Sequence, residues 1–279
     1  MPNLSKQIDP QLVRNLVLRL RQAGCCVRSA VVCRPFFSGV EDSVSFIAED
    51  ALFDGADVLF VLGGDGSIIE AARCTVGLGI PIVGINCGRL GYLAEIEIEE
   101  LDLVDQVLAG FGTTEERIML DVTILRGGEV ITFPTPALND VVLTNGPVPR
   151  LLSFELYCNG ELVENCFADG MIISTPTGST AYSMAAGGPI LDPCLDCFCT
   201  TPICPQTMNN RPVIFCGDSV LELNNMRSRG SSIYISEDGR DYLQLQEGDV
   251  VRIRRSDCRV PLIRVKNGGF LSALRRKLS

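Results

Sequence analysis

The chain of 279 residues contains no histidine. That removes the commonest general base and the commonest metal ligand, so any acid–base chemistry falls to Asp, Glu, Cys, Lys or Tyr. No apolar run approaches the ~20 residues that a spanning helix needs. The opening residues, MPNLSKQIDP, are polar, so no signal peptide is expected. No block of Lys and Arg stands out in the body of the chain, and the formal net charge is -10. Nucleic acid and anionic membranes are therefore not expected partners, because both are recognised by clustered cations. An anion would have to be bound locally, by backbone N–H groups and a few basic side chains.

What is present is the composition of a folded protein, 46% hydrophobic and 21% charged, in a chain long enough for one large or two ordinary domains. The 13 cysteines stand in a chain that can bury a core without staples, so reduced, cytoplasmic thiols are expected rather than disulfides. Cys194 and Cys197 have C-x-x-C spacing, with Cys199 and Cys204 nearby. Zinc ligation is conceivable there, but packing as small hydrophobes is the expectation.

The first third alternates between helix and strand patterns. IDPQLVRNLVLRLRQAG reads as a helix that Asp9 caps, Pro10 opens and Gly24 ends. VRSAVVC (27–33), DVLFVL and IPIVGIN (80–86) read as strands, the latter two buried on both faces. SIIEAARC and EELDLVDQVLAG (99–110) read as helices. This alternation implies a parallel sheet with ligands at the carboxyl ends of its strands. From about Arg117 the runs become short and β-branched. Arg126-Gly127-Gly128-Glu129, Cys158-Asn159-Gly160-Glu161 and Glu237-Asp238-Gly239-Arg240 carry hairpin chemistry. DVVRIRR closes this all-β region. VPLIRVK reads as a further strand and FLSALRRKLS as a short amphipathic helix, both expected to return to the first domain. The expected fold is thus an α/β N-terminal domain with a Rossmann-like parallel sheet, plus an all-β C-terminal sandwich. The domains are 1–116, with 258–279 returning to it, and 117–257.

Two glycine-rich stretches carry chemistry. In LGGDGS, directly after a buried strand, Gly63, Gly64 and Gly66 permit positive φ and let N–H groups approach a ligand, while the following helix offers its positive end. Neither the Walker nor the G-x-G-x-x-G spacing is met. Asp65 would repel a phosphate unless it binds Mg²⁺ on that phosphate or takes a proton from an attacking hydroxyl. Taken alone the motif is equally a turn that caps a helix. The second stretch, DGMIISTPTGSTAYSMAAGGPILDP (169–193), crowds Thr177, Ser179, Thr180, Tyr182 and Ser183 around Gly178. Many donors and little bulk point to a nucleotide-facing loop. Asn139-Asp140 is a third, weaker candidate, an amide beside a carboxylate able to read ribose hydroxyls or an adenine amine.

GGDGS, PIVGINCGRLGYLAEI, ALNDVVL, DGMIISTPTGSTAYSMAAGGPI, TPICPQTMNNRP and SEDG occur in this order, and together the chain resembles the NAD kinases, ATP- or polyphosphate-dependent enzymes that convert NAD to NADP. The likeness spans nearly the whole chain. Residues 169–190 are its most specific part; GGDG alone is shared with lipid kinases and phosphofructokinases. The resemblance implies that Asp65 is the general base for the ribose 2′-hydroxyl and that Gly63, Gly64, Gly66 and Ser67 hold phosphates. It implies that Asn139 and Asp140 contact the adenosine part and Asp169 the nicotinamide end. Thr180, Ala181, Tyr182, Ser183, Met184 and Ala185 would line the dinucleotide, with Tyr182 against adenine and Arg150 as a further contact. It implies Mg²⁺ with the phosphoryl donor, a site between the two domains, and a homodimer or homotetramer.

Several residues depart from that pattern. Asp192 and Gln206 stand where many relatives carry His, Asp140 where Glu is commoner, and Arg240 where Gln is frequent. Phe167-Ala168 stands where a basic residue often precedes Asp-Gly. Relatives begin with a strand leading into the segment matching PNLSKQ; here Met1 stands directly before it, so the first strand of the parallel sheet is expected to be missing.

Overall fold

Asp9 and Pro10 set the first helix, α1 (Pro10–Gln22), where the Asp9 carboxylate accepts the Gln11 N–H at 2.9 Å. Leu12, Val13, Leu16, Val17 and Leu20 recur at helical spacing and are all buried. Each such side chain contributes about 1.5–3 kcal/mol when taken from water. Gly24, at φ +81°, lets the chain leave the helix. The computed structural model describes residues 1–2, 8–88, 91–146, 151–206, 210–228, 232–266 and 268–278, without the side chain of Leu278. Two units divide the chain: Met1–Glu116 with Val260–Ser279, and Arg117–Arg259.

In the first unit, β1 (Arg28–Ala30) pairs in parallel with β2 (Ser45–Ile47). The strand expected over 27–33 stops at Ala30, and Val31–Phe37 wind into a 3₁₀ helix. Among the described residues β1 has one strand neighbour, so no second ladder holds Val31 and Val32 extended, and both face solvent. β3 (Leu59–Gly63) leads through α2 (Asp65–Cys74) to β4 (Ile82–Asn86). β3 and β4 pair in parallel from Leu59↔Ile82 to Gly63↔Asn86. Both strands are buried on both faces, which is why their apolar residues do not alternate. A Cβ at Gly84 would lie 2.4 Å from Ile68 Cδ1, so only glycine lets α2 pack this closely on β4. β5 (Ile96–Glu97) follows, and α3 covers only Leu103–Leu108. The helix expected over 99–110 is interrupted because Glu97 and Glu100 form a capping box that starts a separate 3₁₀ turn at Ile98–Glu100.

The second unit is a pair of antiparallel sheets. Its strands are β6 (Thr113–Arg126), β7 (Glu129–Thr132), β8 (Asp140–Asn145), β9 (Leu152–Cys158), β10 (Glu161–Ala168) and β11 (Gly170–Ser174). After the short helix α4 (Tyr182–Ala185) come β12 (Cys197–Ile203), β13 (Val213–Cys216), β14 (Val220–Ser228), β15 (Ile233–Glu237), β16 (Tyr242–Leu245) and β17 (Val250–Arg264). One sheet has the order β13-β12-β11-β8-β15-β16; the other runs β10-β9-β14-β17, with β6 on β17 and β7 on β6. Leu143, Ile173 and Ile235 of the first sheet share one core with Leu156, Leu223 and Ile253 of the second. The hairpin turns obey the local chemistry: Gly127-Gly128, Asn159-Gly160 and Asp238-Gly239 all have positive φ.

DVVRIRR and VPLIRVK, two separate runs in the sequence, form the single strand β17. From Val260 the chain belongs to the first unit, where Leu262 pairs in parallel with Ile82 and α5 (Gly269–Leu278) ends the fold. Arg264 there donates to Glu95 at 3.2 Å and Glu115 at 3.0 Å, all three largely buried. None of the 13 cysteines is joined in a disulfide. No described helix is long and apolar enough to cross a membrane.

Candidate active site

β3 ends at Gly63, Gly64 is extended (φ −117°, ψ −168°), and Asp65 is the first residue of α2. None of Gly63, Gly64 and Gly66 has positive φ, so the left-handed freedom expected of them is not used. A Cβ at Gly66 would meet nothing within 4 Å, so the fold itself leaves that face of the helix end open. The Gly64 carbonyl accepts the N–H of Ser67 at 2.9 Å and of Ile68 at 3.3 Å, closing the first turn. Both oxygens of Asp65 are held from the segment after β4. Oδ2 accepts the Tyr92 N–H at 2.8 Å and Oδ1 the Leu93 N–H at 3.1 Å. A Cβ at Gly91 would sit 2.0 Å from Asp65 Oδ1, so glycine is required for this approach. The carboxylate also sits at the positive end of α2. Burial, and then the charge of Asp65, push the Tyr92 hydroxyl pKa up. Asn86, buried at the end of β4, donates to Glu97 at 2.8 Å.

In the second unit three segments lock together. Asp238, at φ 48° in the turn after β15, accepts from three successive backbone N–H groups: Leu138 at 2.9 Å, Asn139 at 2.7 Å and Asp140 at 3.1 Å. Its own N–H donates to the Asp140 carbonyl at 2.9 Å. The Thr175 hydroxyl donates to the Leu138 carbonyl at 2.6 Å and accepts the Gly178 N–H at 3.1 Å. A Cβ at Gly178 would lie 2.0 Å from the Asn139 carbonyl oxygen. Only glycine therefore allows the 175–180 loop to close on Asn139-Asp140. Burial, and next the neighbouring Asp238 charge, push the Asp140 carboxyl up to about 7. Asn139 Oδ1 is a buried acceptor with no hydrogen-bond partner among the described residues. Arg117 is almost wholly buried, with its guanidinium 3.4 Å from the Thr177 hydroxyl.

The remaining residues singled out in the sequence fall into distinct settings. The Thr180 hydroxyl donates back to the Thr177 carbonyl at 3.3 Å. Ala181 precedes α4, whose Tyr182 and Ala185 are exposed and whose Met184 is half-buried. Ser183 instead points inward, hydroxyl to hydroxyl with Thr201 at 2.9 Å, and its side chain is fully buried. Asp169 is half-buried between β10 and β11, its N–H on the Ile203 carbonyl at 2.9 Å. Arg150 lies outside the described residues. The sequence reading missed Asp238 and Thr175 as organisers, and the Tyr92 and Leu93 amides as the clamp on Asp65. The Asp-Gly turn signalled the hairpin at 238; nothing local showed that its carboxylate reaches back to Leu138. No group of three or more Cys, Asp and Glu side chains suited to a metal ion occurs among the described residues.

Known proteins resemble this chain in sequence and fold. The family model described as ATP-NAD kinase N-terminal domain matches residues 41–111, and that described as ATP-NAD kinase C-terminal domain matches 138–265. An NAD kinase of Acetivibrio thermocellus is 36% identical over 279 residues, covering 100% of this chain and 95% of the relative. One of Symbiobacterium thermophilum is 40% identical over 266 residues, covering 95% and 92%. Among solved structures, yeast NADH kinase complexed with NADH has a TM-score of 0.89 at 22% identity, over 100% of this chain and 86% of that one. An NAD kinase from Archaeoglobus fulgidus in complex with ATP has a TM-score of 0.65 at 24% identity, over 91% and 97%. At those identities the solved structures bear on the fold; the family models and the curated relatives show that this chain belongs to the NAD kinase family.

Proposed function

We propose that this member of the family transfers the terminal phosphoryl group of ATP or polyphosphate to the adenosine ribose 2′-hydroxyl of NAD, giving NADP, with Asp65 as general base. The observation that carries this reading is the clamp on Asp65, whose two oxygens are oriented by the Tyr92 and Leu93 amides. A carboxylate fixed at a helix N-terminus can take the hydroxyl proton as the ribose oxygen bonds to phosphorus and the donor's bridging oxygen leaves. Phosphoryl transfer asks for positioning and charge neutralisation more than covalent chemistry, so a chain without histidine can perform it.

Gly63, Gly64, Gly66 and Ser67 would face the donor phosphates. The open space beside Gly66 supports this, since the fold does not itself need a glycine there. Mg²⁺ would neutralise charge on the donor, and with no carboxylate cluster among the described residues it would be held chiefly by the phosphates, beside Asp65. The first unit would thus be the phosphate-binding domain and the second the NAD-binding one. Asn139 and Asp140 would read the adenosine part; the unpaired, buried Asn139 Oδ1 is an acceptor suited to an amine or hydroxyl of the ligand. Asp169 would meet the nicotinamide end, with Arg150 and the segment Thr180, Ala181, Tyr182, Ser183, Met184 and Ala185 around the dinucleotide. Ser183 would act by holding that segment on β12 rather than by touching the ligand with its side chain. We further propose a cytoplasmic homodimer or homotetramer, measurable by sedimentation.

The deciding experiment is NADP formation from NAD with ATP and with polyphosphate in turn, each with Mg²⁺. Turnover with either donor that disappears in Asp65→Asn, while NAD still binds, is the expected result. Wild type that binds NAD without forming NADP would show a dinucleotide sensor instead.

A further inference from the structure

β17 ends at Arg264, and Leu262, two residues earlier, pairs in parallel with Ile82 of β4. Parallel neighbours finish on the same side of a sheet, so Arg264 emerges beside the segment that follows β4. That segment carries Tyr92 and Leu93, whose N–H groups hold the two oxygens of Asp65. The Arg264 side chain is only 9% exposed. Its Nε donates to Glu115 at 3.0 Å. Nη1 donates to the Leu93 carbonyl at 2.9 Å and to Glu95 at 3.2 Å. Nη2 lies 3.5 Å from the Tyr92 carbonyl, at the long limit of a hydrogen bond.

An ion pair with Glu95 and Glu115 accounts for the charge of Arg264, but not for its bonds to two main-chain carbonyls. Those carbonyls belong to the two residues that clamp Asp65. The Tyr92 carbonyl and the Leu93 N–H are the two ends of one peptide group, so a cation at the oxygen strengthens the N–H as a donor. We propose that Arg264 is a positioning residue for Asp65, acting through the backbone of Tyr92 and Leu93 to fix where the carboxylate points. The proposal rests on the reading of Asp65 as general base.

The same segment is gripped at further points from the end of the chain. Glu95 Oε1 accepts the N–H groups of Val265 at 2.8 Å and Lys266 at 2.6 Å. The Tyr92 ring lies 6.3 Å from that of Phe270 and 3.8 Å from the Lys277 ammonium, both on α5. Residues 91–95 form neither helix nor strand, so bonds from outside take the place of a ladder. A planar guanidinium with five N–H groups can span two carboxylates and two carbonyls at once; an ammonium donates from a single atom and cannot. Arg264→Lys therefore keeps the charge beside Glu95 and Glu115 but loses the carbonyl bonds.

The test measures kcat and KM for NAD, with Mg²⁺ and the donor that wild type uses, and backbone hydrogen exchange resolved at Tyr92 and Leu93. Arg264→Lys is expected to lower kcat about tenfold with KM for NAD within about twofold of wild type. It should speed exchange at Tyr92 and Leu93 about tenfold relative to the amides of β8. Arg126→Gln, which breaks the bidentate pair with Asp249 in the second unit, should lower Tm and move neither readout. In an Asp65→Asn background, Arg264→Lys should change the residual rate by less than about twofold, because it acts through that carboxylate. An equal loss of rate in both backgrounds, or a loss matched by Arg126→Gln, would reduce Arg264 to a stability role and overturn the proposal. Unchanged exchange at Tyr92 and Leu93 would overturn it too. Asp65→Asn that keeps the wild-type rate would sink the base reading instead, and the exchange rates would still report whether Arg264 holds the clamp. Should Arg264→Lys fail to fold, Arg264→Met combined with Glu95→Gln removes the carbonyl bonds without stranding the buried Glu95 charge, and the same outcomes decide.

Discussion

The Asp65 region and the Asn139-Asp140 region both hold a carboxylate against backbone amides, but they are built oppositely. Asp65 is itself the clamped group: two N–H donors fix it, and the helix end beside it is open at Gly66. In the second region the clamping carboxylate belongs to Asp238, and what it fixes is the backbone carrying Asn139 and Asp140. Hydroxyls there turn inward, and Gly178 closes the loop on Asn139. On the proposed function, the first arrangement would present a carboxylate to the reacting hydroxyl, and the second would set a recognition surface. Damage to the first should therefore appear in turnover, and damage to the second in affinity and stability.

The largest effect should come from Asp65→Asn, a fall in kcat of about 10²–10⁴ with NAD affinity nearly unchanged, read by NADP formation beside calorimetric titration. A rate within a few-fold of wild type would remove the general-base role. The two close-approach glycines then make a matched pair. Gly178→Ala forces the backbone at Asn139 to move, and should cost about 1–3 kcal/mol in urea unfolding together with a loss of NAD affinity. Gly91→Ala displaces the Asp65 carboxylate and should lower kcat more than stability. If the two variants behaved alike, the contrast between the regions would collapse.

Asp238→Ala should follow, with a cost of about 1–3 kcal/mol from three amides left without their acceptor, and weaker NAD binding at unchanged donor affinity. The smallest effect is a pH dependence. Because the folded-state pKa of Asp140 is raised to about 7, the folded protein binds a proton that the unfolded chain has already released between the ordinary carboxylate range and about 7. Its contribution to stability is fully present below that ordinary range and is lost as pH rises through about 7. Asp140→Asn should flatten the stability profile across that window and make the variant relatively more stable at pH 8. A profile with the same slope as wild type would show that Asp140 is already charged in the folded state.

Much of this was legible because the chemistry is local. The buried strands at 59–63 and 82–86, the capped helix at 10–22 and the three tight turns follow from apolar spacing, Asp-Pro capping and paired turn residues. The resemblance placed Asp65, Asn139-Asp140 and the 169–190 loop in one family, and the relatives agree on the family. Reading failed where a partner strand decides. VRSAVVC has strand composition but leaves the sheet at Ala30 for want of a second neighbour, and the two runs on either side of residues 256–259 merge because β17 pairs along both halves. It failed again at the glycines of LGGDGS, none of which has positive φ; at Gly66 the space that a Cβ would fill is open.

The sequence alone determined that an α/β region precedes a β-rich one, that no histidine would act, and that a carboxylate stands after a buried strand. Period, composition and turn chemistry suffice for these, since each depends on neighbours along the chain. Only the tertiary structure decided what holds that carboxylate, which glycines are irreplaceable, and that Asp238 organises residues 98 to 100 positions earlier. Hydrogen bonds and steric fit act over a few ångströms of space, and separation along the chain does not encode that distance.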